Sequence, residues 1–546
     1  MAPEQHIIVV IVTPDFERRP TTNAPPKLSI DAGALTRCRH RVHLDAEYPQ
    51  QLAAAPEDVG VKQRQEAAAQ KREEVRTMYM AAEPGRWVRI EPDRPRRERA
   101  ADTLAACAEG AERIWGAVLP TEPDTGRSGT SEMLFRDREH GGYIPVIVVN
   151  HKVTDPGSGA LVSGLFDWAP HEDDTRKPRS QPRDQMRVAQ LYRMLDRLGL
   201  ASPSMLAGTV GLAADCIYVH DLTTILADYD ARFADRRAVV LGEVHTEPSR
   251  IGECRSCPWW PDCRRTLVDR RDVSLVAQGT RAELLRGIGI RTIDELAAYD
   301  GPEPEEWPNG TFADTVVTAK AWLADLPLVR RFEDVRVTRA DVEVDVDMES
   351  YQERGAYLWG TLLNVDGVSA YRPFYTWDPL PTRDEARSFG EFWTWLMAER
   401  DAAAASGRTF AAYCYSRSAE DKWLLASAKR FAGEPGVPTH TEVRAFIDSP
   451  QWVDVYQAVS DQFICPDGKG LKKIAPIAGF HWRDDQASGE ASMSWYREAV
   501  GYDGDPDLTQ RTRLLEYNED DVIATKVLRE WMTERAAREI PLAADL

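Results

Sequence analysis

Two carboxylates two residues apart, and a third four residues after a tyrosine, are the side chains of this sequence best placed to do chemistry. Asp347-Met-Glu349 ends the run Val342-Glu-Val-Asp-Val-Asp, which alternates as a strand does. Residues i and i+2 of a strand point to one face, so both carboxylates can reach one metal pair. Tyr517-Asn-Glu-Asp-Asp521 is expected to open a C-terminal helix running from near Leu514 to about Ala537. Positions i and i+4 share a helix face, which sets Tyr517 beside Asp521. Acidic oxygens holding two divalent ions ~4 Å apart, with a group to orient water, are what two-metal hydrolysis needs. The bland alternative is a polar strand end and a helix-capping aromatic. The apolar stripe Ile523, Val527, Leu528 and Trp531 would dock that helix on a sheet.

A second constellation is sulfur. Cys254-Arg-Ser-Cys257-Pro-Trp-Trp-Pro-Asp-Cys263 sets three thiols at C-x2-C-x5-C spacing in a turn-rich stretch. A four-thiolate site needs one more ligand, and Cys38 is the natural candidate. The spacing alone allows zinc or an iron–sulfur cluster. Either would staple the two ends of one domain. A third, weaker pattern pairs Glu132 with Asn150-His151-Lys152 on two consecutive predicted strands around a Gly-Gly turn. Two acids and a lysine there would hold Mg²⁺ and steady negative charge. Glu132 and Lys152 fit, whereas the amide of Asn150 is a poor Mg²⁺ ligand.

The elements that must position these groups are strands mixed with helices, an α/β or α+β layer architecture. Strands are expected at Ile114–Leu119, Thr130–Phe135, Tyr143–Val153, Ala160–Trp168, Gly208–Val219 and Ala238–Val244, with helices at 61–82 and 183–199. A β-branched run, 6–13, and a Pro-rich stretch, 19–26, precede them. Around Arg281 to Leu296 the sequence reads helix, Gly287-Ile-Gly289 turn, helix, where free N–H groups at a helix start would suit a phosphate. A second α/β region follows: a strand over Val335–Val346 continuing to Glu349, a hairpin partner at Tyr357–Leu363, and helices near 386–405 and 420–432.

At 546 residues the chain should hold two or three domains. Its net charge of −20 argues against a protein that coats nucleic acid by bulk electrostatics, but leaves room for a local basic groove. Apolar runs are too short to span a bilayer, and no secretory signal is evident, so a cytoplasmic protein without membrane partners is expected. Eight cysteines, three of them clustered, suit a metal site in a reducing compartment better than a disulfide framework.

A lone Cys38 with a distal Cys254-x2-Cys257-x5-Cys263 resembles the RecB-like iron–sulfur nuclease family. The whole order is similar to family members with a helix-hairpin-helix segment and a C-terminal ribonuclease-H-like exonuclease domain. The resemblance implies a restriction-endonuclease-like first domain over 1–270, a hairpin segment over 271–330 and an exonuclease domain over 331–546. It implies that Cys38, Cys254, Cys257 and Cys263 hold a structural [4Fe–4S] cluster. It also implies that Asp347, Glu349 and Asp521 bind Mg²⁺ or Mn²⁺, with Tyr517 positioning water as in the Tyr subgroup of DEDD exonucleases. That subgroup has a further acid on an intervening helix; Glu420 is the first candidate, then Asp421, then Asp454. The first domain departs from the pattern: glutamines in Gly60-Val-Lys-Gln-Arg-Gln65 replace a histidine, Asn150 replaces an acid, and Gln190-Leu-Tyr192 only loosely echoes a Gln-x-x-x-Tyr helix. The implied function is a metal-dependent nuclease acting on DNA, from ends, in repair or end processing. The alternatives are a nucleic-acid-binding scaffold with degenerate sites and an exonuclease acting on RNA. No Walker A loop is present, so a helicase partner would be a separate chain.

Overall fold

The computed structural model describes residues 29–56, 58–179 and 181–546; the runs at 6–13 and 19–26 lie outside them. The chain is mixed α/β and divides into two compact units, Met1–Leu267 and Val268–Leu546. The helical segment around the Gly-Ile-Gly turn falls in the second.

In the first unit, eight strands form one sheet: Trp87–Arg89 (β1), Arg113–Leu119 (β2), Gly129–Arg136 (β3), Tyr143–Val148 (β4), Ala160–Ser163 (β5), His171–Asp173 (β6), Leu206–Val210 (β7) and Ile217–Asp221 (β8). Their spatial order is β1-β2-β3-β4-β7-β8-β5-β6. β1 and β2 pair in parallel, as do β4 and β7, and the other pairs are antiparallel. The period-2 alternation of β3 divides it between two cores. Met133 and Phe135 pack with Tyr79 of the helix Val59–Ala82, while Leu134 joins Leu191 and Met194 of the helix Pro182–Arg197. The sheet is therefore covered on both faces, which is why its central strands read as near-continuous apolar runs.

Four strand expectations are shortened, split or replaced. The expected strand Gly208–Val219 is two antiparallel strands, β7 and β8, joined by a turn. β4 stops at Val148, so Asn150 and Lys152 follow the strand rather than extend it. β5 covers only Ala160–Ser163 of the expected Ala160–Trp168. Ala238–Val244 is the end of the helix Leu226–Val240 and its exit, where Gly242 adopts a positive φ of 73°. The β-branched pair Val239-Val240 is the last apolar step of that helix, with Val239 fully buried, so tertiary packing overrides its strand preference.

In the second unit, the helices Thr280–Gly287 and Ile293–Ala297 flank the Gly-Ile-Gly turn. The N–H groups of Ile288, Gly289 and Ile290 donate to carbonyls of the preceding helix. Those of Arg291 and Thr292 donate to the Glu295 carboxylate, in a capping box with Thr292. The anion site expected there is therefore already filled by the chain's own Glu295.

Five strands follow: Val342–Tyr351 (β9), Gly355–Val365 (β10), Val368–Tyr375 (β11), Phe410–Cys414 (β12) and Trp452–Asp454 (β13), ordered β11-β10-β9-β12-β13. β9, β10 and β11 pair antiparallel, joined at the second hairpin by Asp366-Gly367, both at positive φ as a two-residue I′ turn requires. β12 runs parallel to β9, and β13 to β12. Val342, Val344, Val346 and Met348 of β9 join Phe389, Phe392 and Leu396 of the helix Asp384–Ala405, and Trp423 and Leu424 of the helix Ser418–Arg430, in one core. The alternate residues, Glu343, Asp345, Asp347 and Glu349, form the other face.

That acidic face lies against the helix Leu508–Glu534 (α1). α1 starts at its N-cap Asp507, whose side chain accepts the Thr509 N–H. It therefore begins before Leu514, and the Tyr517–Asp521 box sits in the helix interior instead of opening it.

Candidate active site

β9 and α1 bring three carboxylates together. Ligand oxygens of Asp347, Glu349 and Asp521 all lie within 4.8 Å of one another. Each carboxylate is held by a neutral donor. Asn518 Nδ2 donates to Asp347 Oδ2 at 2.7 Å, and Trp482 Nε1 to Asp521 Oδ1 at 2.7 Å. Ser492 Oγ donates to Glu349 Oε2 at 3.1 Å, and the Tyr357 hydroxyl reaches the same oxygen at 3.4 Å. Asn518 is itself fixed: its Oδ1 accepts from Tyr371 Oη at 2.8 Å, and a Cβ at Gly360 would lie 1.5 Å from that oxygen. Gly360 is thus the cradle that lets Asn518 reach the sheet.

The electrostatics follow from that packing. Burial, then the Asp521, Glu349 and Glu420 charges, hold the Asp347 carboxyl well above its ordinary range. Burial and Asp521 push Glu349 to about 8, and burial pushes Asp521 to about 6 against the opposing pull of Lys472 and Trp482. Three acids packed this way repel one another and have no salt bridge among the described residues. A divalent cation relieves that cost directly.

Of the three acids considered for the fourth position, Glu420 is the one left over. It is 4% exposed, its Oε2 has no hydrogen-bond partner among the described residues, and burial lifts its carboxyl to about 8. Asp421 pairs with Arg417 at 2.7 Å and accepts from Trp452 Nε1 at 2.9 Å. Asp454 caps the helix Val455–Gln462 and accepts the Ser416 N–H. Tyr517 is 6% exposed, its phenol raised by burial and then by the Asp521 charge.

The other half of the acidic strand is closed to metal. Arg529, fully buried, donates Nε and Nη2 to Asp345 at 2.9 Å each, and its Nη1 reaches Glu343. Arg339 and Tyr413 complete the set around Glu343 at 2.7 and 3.1 Å.

Residues 428–533 match the RNase_H superfamily. The second unit carries a ribonuclease H-like domain. The matched stretch contains Tyr517 and Asp521 but stops short of β9. No curated protein and no solved structure matches the chain. A ribonuclease H-like domain implies nuclease-type chemistry on nucleic acid with divalent metals. No helix among the described residues is long and apolar enough to cross a membrane.

In the first unit, Cys38, Cys254, Cys257 and Cys263 line one cavity with His40, Trp259 and Trp260. Burial pushes Cys257 up to about 11 and Cys263 up to about 12, and neighbouring cysteines add to the shift. Protein contacts also close the staple: the Cys38 N–H and Arg41 Nη1 both donate to Glu253, at 2.8 and 2.6 Å, and Trp259 Nε1 donates to Asp45 at 2.7 Å.

Glu132 stands on β3, whereas Asn150 and Lys152 lie past the end of β4 instead of on it. Glu132 is engaged by Arg187 Nη2 at 2.8 and 2.9 Å and accepts the Val148 N–H at 3.1 Å. Lys152 is exposed beyond the end of β4. His151, between Asn150 and Lys152, bonds the buried Asp184 at 2.8 Å. Gln190 is buried and donates to the carbonyls of Ile30 and Ser128.

Reading the sequence missed Asn518, Arg529, Trp482 and Lys472. Asn518 stands inside the Tyr517 box, and Arg529 lies about two helical turns beyond Asp521, so helical spacing could have found both. Nothing in the sequence marks Trp482 or Lys472, which enter from a distant loop and a four-residue helix.

Proposed function

We propose that the ribonuclease H-like domain is a two-metal nuclease that hydrolyses phosphodiester bonds of DNA from an end. The observation that carries this reading is the trio Asp347, Glu349 and Asp521, buried or half-buried, mutually close and without a salt bridge among the described residues. The residues fit the metals: three acids with oxygens inside 4.8 Å, and a fourth, Glu420, with an unpartnered buried oxygen, form a hard-oxygen donor set suited to Mg²⁺ or Mn²⁺. Metal ions bound there would supply an activated water and charge stabilisation at the leaving 3′ oxygen. Asn518 holds Asp347 in its ligand orientation, and Trp482 does the same for Asp521. Tyr517, one helical turn from Asp521, orients the attacking water. The DNA substrate and end-directed mode are supported by the resemblance to Tyr-subgroup exonucleases, and a role in end processing follows from it. A duplex substrate would be opened by a separate helicase.

In the same reading, the first unit is a restriction-endonuclease-like body whose four cysteines hold a structural [4Fe–4S] cluster. The shared thiol-lined cavity suits a group held by four thiolates, and the resemblance to the iron–sulfur family favours a cluster over a single zinc. Glu132 and Lys152 are a weakened catalytic pair there, because Arg187 already neutralises Glu132 and position 150 offers an amide.

The experiment is digestion of end-labelled single- and double-stranded DNA and RNA in Mg²⁺ or Mn²⁺, with Asp347→Asn alongside. Metal-dependent shortening of DNA by the native chain, lost in the variant, is expected. Shortening of RNA alone would reassign the substrate. Hydrolysis unchanged in Asp347→Asn would remove this site from the reaction.

A further inference from the structure

We propose that Lys472 is a catalytic residue of this site, its ammonium contacting a non-bridging oxygen of the scissile phosphate. The inference rests on the two-metal reading above and adds a substrate contact that it lacks. Lys472 stands on the short helix Leu471–Ile474 and is half-buried. Its Nζ lies 3.4 Å from the Tyr517 hydroxyl, 4.4 Å from the centre of that ring and 5.4 Å from the centre of the Trp482 ring. Tyr517 and Trp482 are the two aromatics that border Asp521, so the ammonium is seated at the rim of the acidic trio.

Yet Lys472 forms no ion pair within 4.0 Å among the described residues. The other cations near acidic clusters in this unit do form them: Arg529 on Asp345 and Arg483 on Asp520. An ammonium has three donors. One is given to the Ala487 carbonyl, one faces the Tyr517 oxygen, and one is left for another anion. A cation withheld from direct pairing at the edge of a metal-binding trio suits an anion that arrives with the reaction.

Charge counting identifies that anion. Four carboxylates, Asp347, Glu349, Glu420 and Asp521, balance two divalent ions. A phosphodiester then adds one negative charge, and Lys472 is the group that offsets it. As water's oxygen bonds to phosphorus and the bond to the 3′ oxygen breaks, further negative charge builds on the non-bridging oxygens, where a fixed donor acts most strongly. The water's proton leaves to solvent, the 3′ oxygen takes one from solvent, and Lys472 keeps its own.

The competing role is that Lys472 only buttresses Tyr517. The full chain is assayed on an end-labelled oligonucleotide with Mn²⁺ as Lys472→Met, Lys472→Arg, Tyr517→Phe and the Lys472→Met/Tyr517→Phe double variant, with Lys472→Gln if the Met variant does not fold. The expected result is a loss in kcat of about 100-fold for Lys472→Met, comparable to removal of one preorganised donor. Mn²⁺ half-saturation should be unweakened, and Lys472→Arg should restore much of the loss. The same Lys472→Met change should weaken binding of thymidine 5′-monophosphate in Ca²⁺. A kcat within threefold of native, no added loss in the Tyr517→Phe background, or no rescue by Arg would each overturn the proposal. A native chain that shows no metal-dependent hydrolysis defeats the nuclease reading itself, before any Lys472 variant is compared.

Discussion

Asp347→Asn should make the metal-free protein more stable and nearly indifferent to metal. Three carboxylate oxygens lie within 4.8 Å of one another. At that distance and an effective dielectric of ~20, two unit charges repel by about 3.5 kcal/mol. Asp347 has two such neighbours. The full repulsion is not realised near neutrality, because burial and neighbouring charges hold Asp347 well above its ordinary range and Glu349 near 8, so the site retains protons. The relief on removing one charge is then roughly 1–3 kcal/mol, and at 2–4 °C per kcal/mol for a unit of this size the melting temperature rises by several degrees. Shape is preserved, since the new amide oxygen can still accept the Asn518 N–H. The pH dependence has a definite sign. Acids whose folded pKa lies above the unfolded value bind more protons when folded, so metal-free stability falls as pH climbs from about 4.5 through about 8. Asp347→Asn should flatten that fall, and its advantage should be larger at pH 8.5 than at pH 5. Thermal melts in chelator at three pH values, followed by Mn²⁺ titration, make the measurement. A variant that melts below native at pH 8.5 in chelator, or that gains as much from Mn²⁺ as native does, would refute the reasoning.

The other expectations are structural and chemical. Arg529→Met leaves Asp345 buried without its cation and Glu343 with Arg339 as its remaining cation, and should cost about 3–5 kcal/mol in urea unfolding; a cost under 1 kcal/mol would mean the pair is not the clamp described. Gly360→Ala places a Cβ 1.5 Å from Asn518 Oδ1, so the side chain must move, at about 1–3 kcal/mol, and Mn²⁺ affinity should fall with it, as calorimetry would show. Anaerobically purified protein should be brown, with iron and acid-labile sulfide near four per chain in a [4Fe–4S] model, and Cys257→Ser should lose most of both; stoichiometric zinc in colourless protein would exclude the cluster. Asn150→Asp, made in the Asp347→Asn background, should raise residual hydrolysis if the first unit lacks only a ligand; no gain would show that the Arg187–Glu132 pair is the larger obstacle.

What the sequence revealed, and what it hid, divides by range. Asp347 with Glu349, and Tyr517 with Asp521, are local pairs whose geometry follows from strand and helix periods, and both appear as expected on β9 and α1. The hairpin of β9 with β10 was legible for the same reason. Helix and strand ends were less so, because caps compete with periodicity: Asp507 starts α1 earlier than the apolar stripe suggests. The Gly-Ile-Gly turn shows the same limit. Its glycines announce a turn, but whether its N–H groups stay free depends on Glu295, whose carboxylate takes two of them. Lys472 and Trp482 were out of reach altogether, since only the tertiary fold sets them beside residues of α1.

Strand β9 shows why counting acids alone could not define the site. Glu343, Asp345, Asp347 and Glu349 share one face at equal spacing, and nothing in their alternation separates them. The separation comes from α1. At one level the helix presents Arg529, whose planar fork satisfies Asp345 twice and reaches Glu343, so those two acids are spent on docking helix to sheet. About two turns earlier it presents Asp521 with Asn518 and Tyr517, and there a third carboxylate is added instead of a cation. A helix that neutralises one half of a strand and aggravates the other gains its anchorage from the first half, and the second is left as a site that only an added cation completes. The Arg529 clamp fixes the height of α1 over the sheet, and hence the 4.8 Å approach of Asp521 to Asp347 and Glu349.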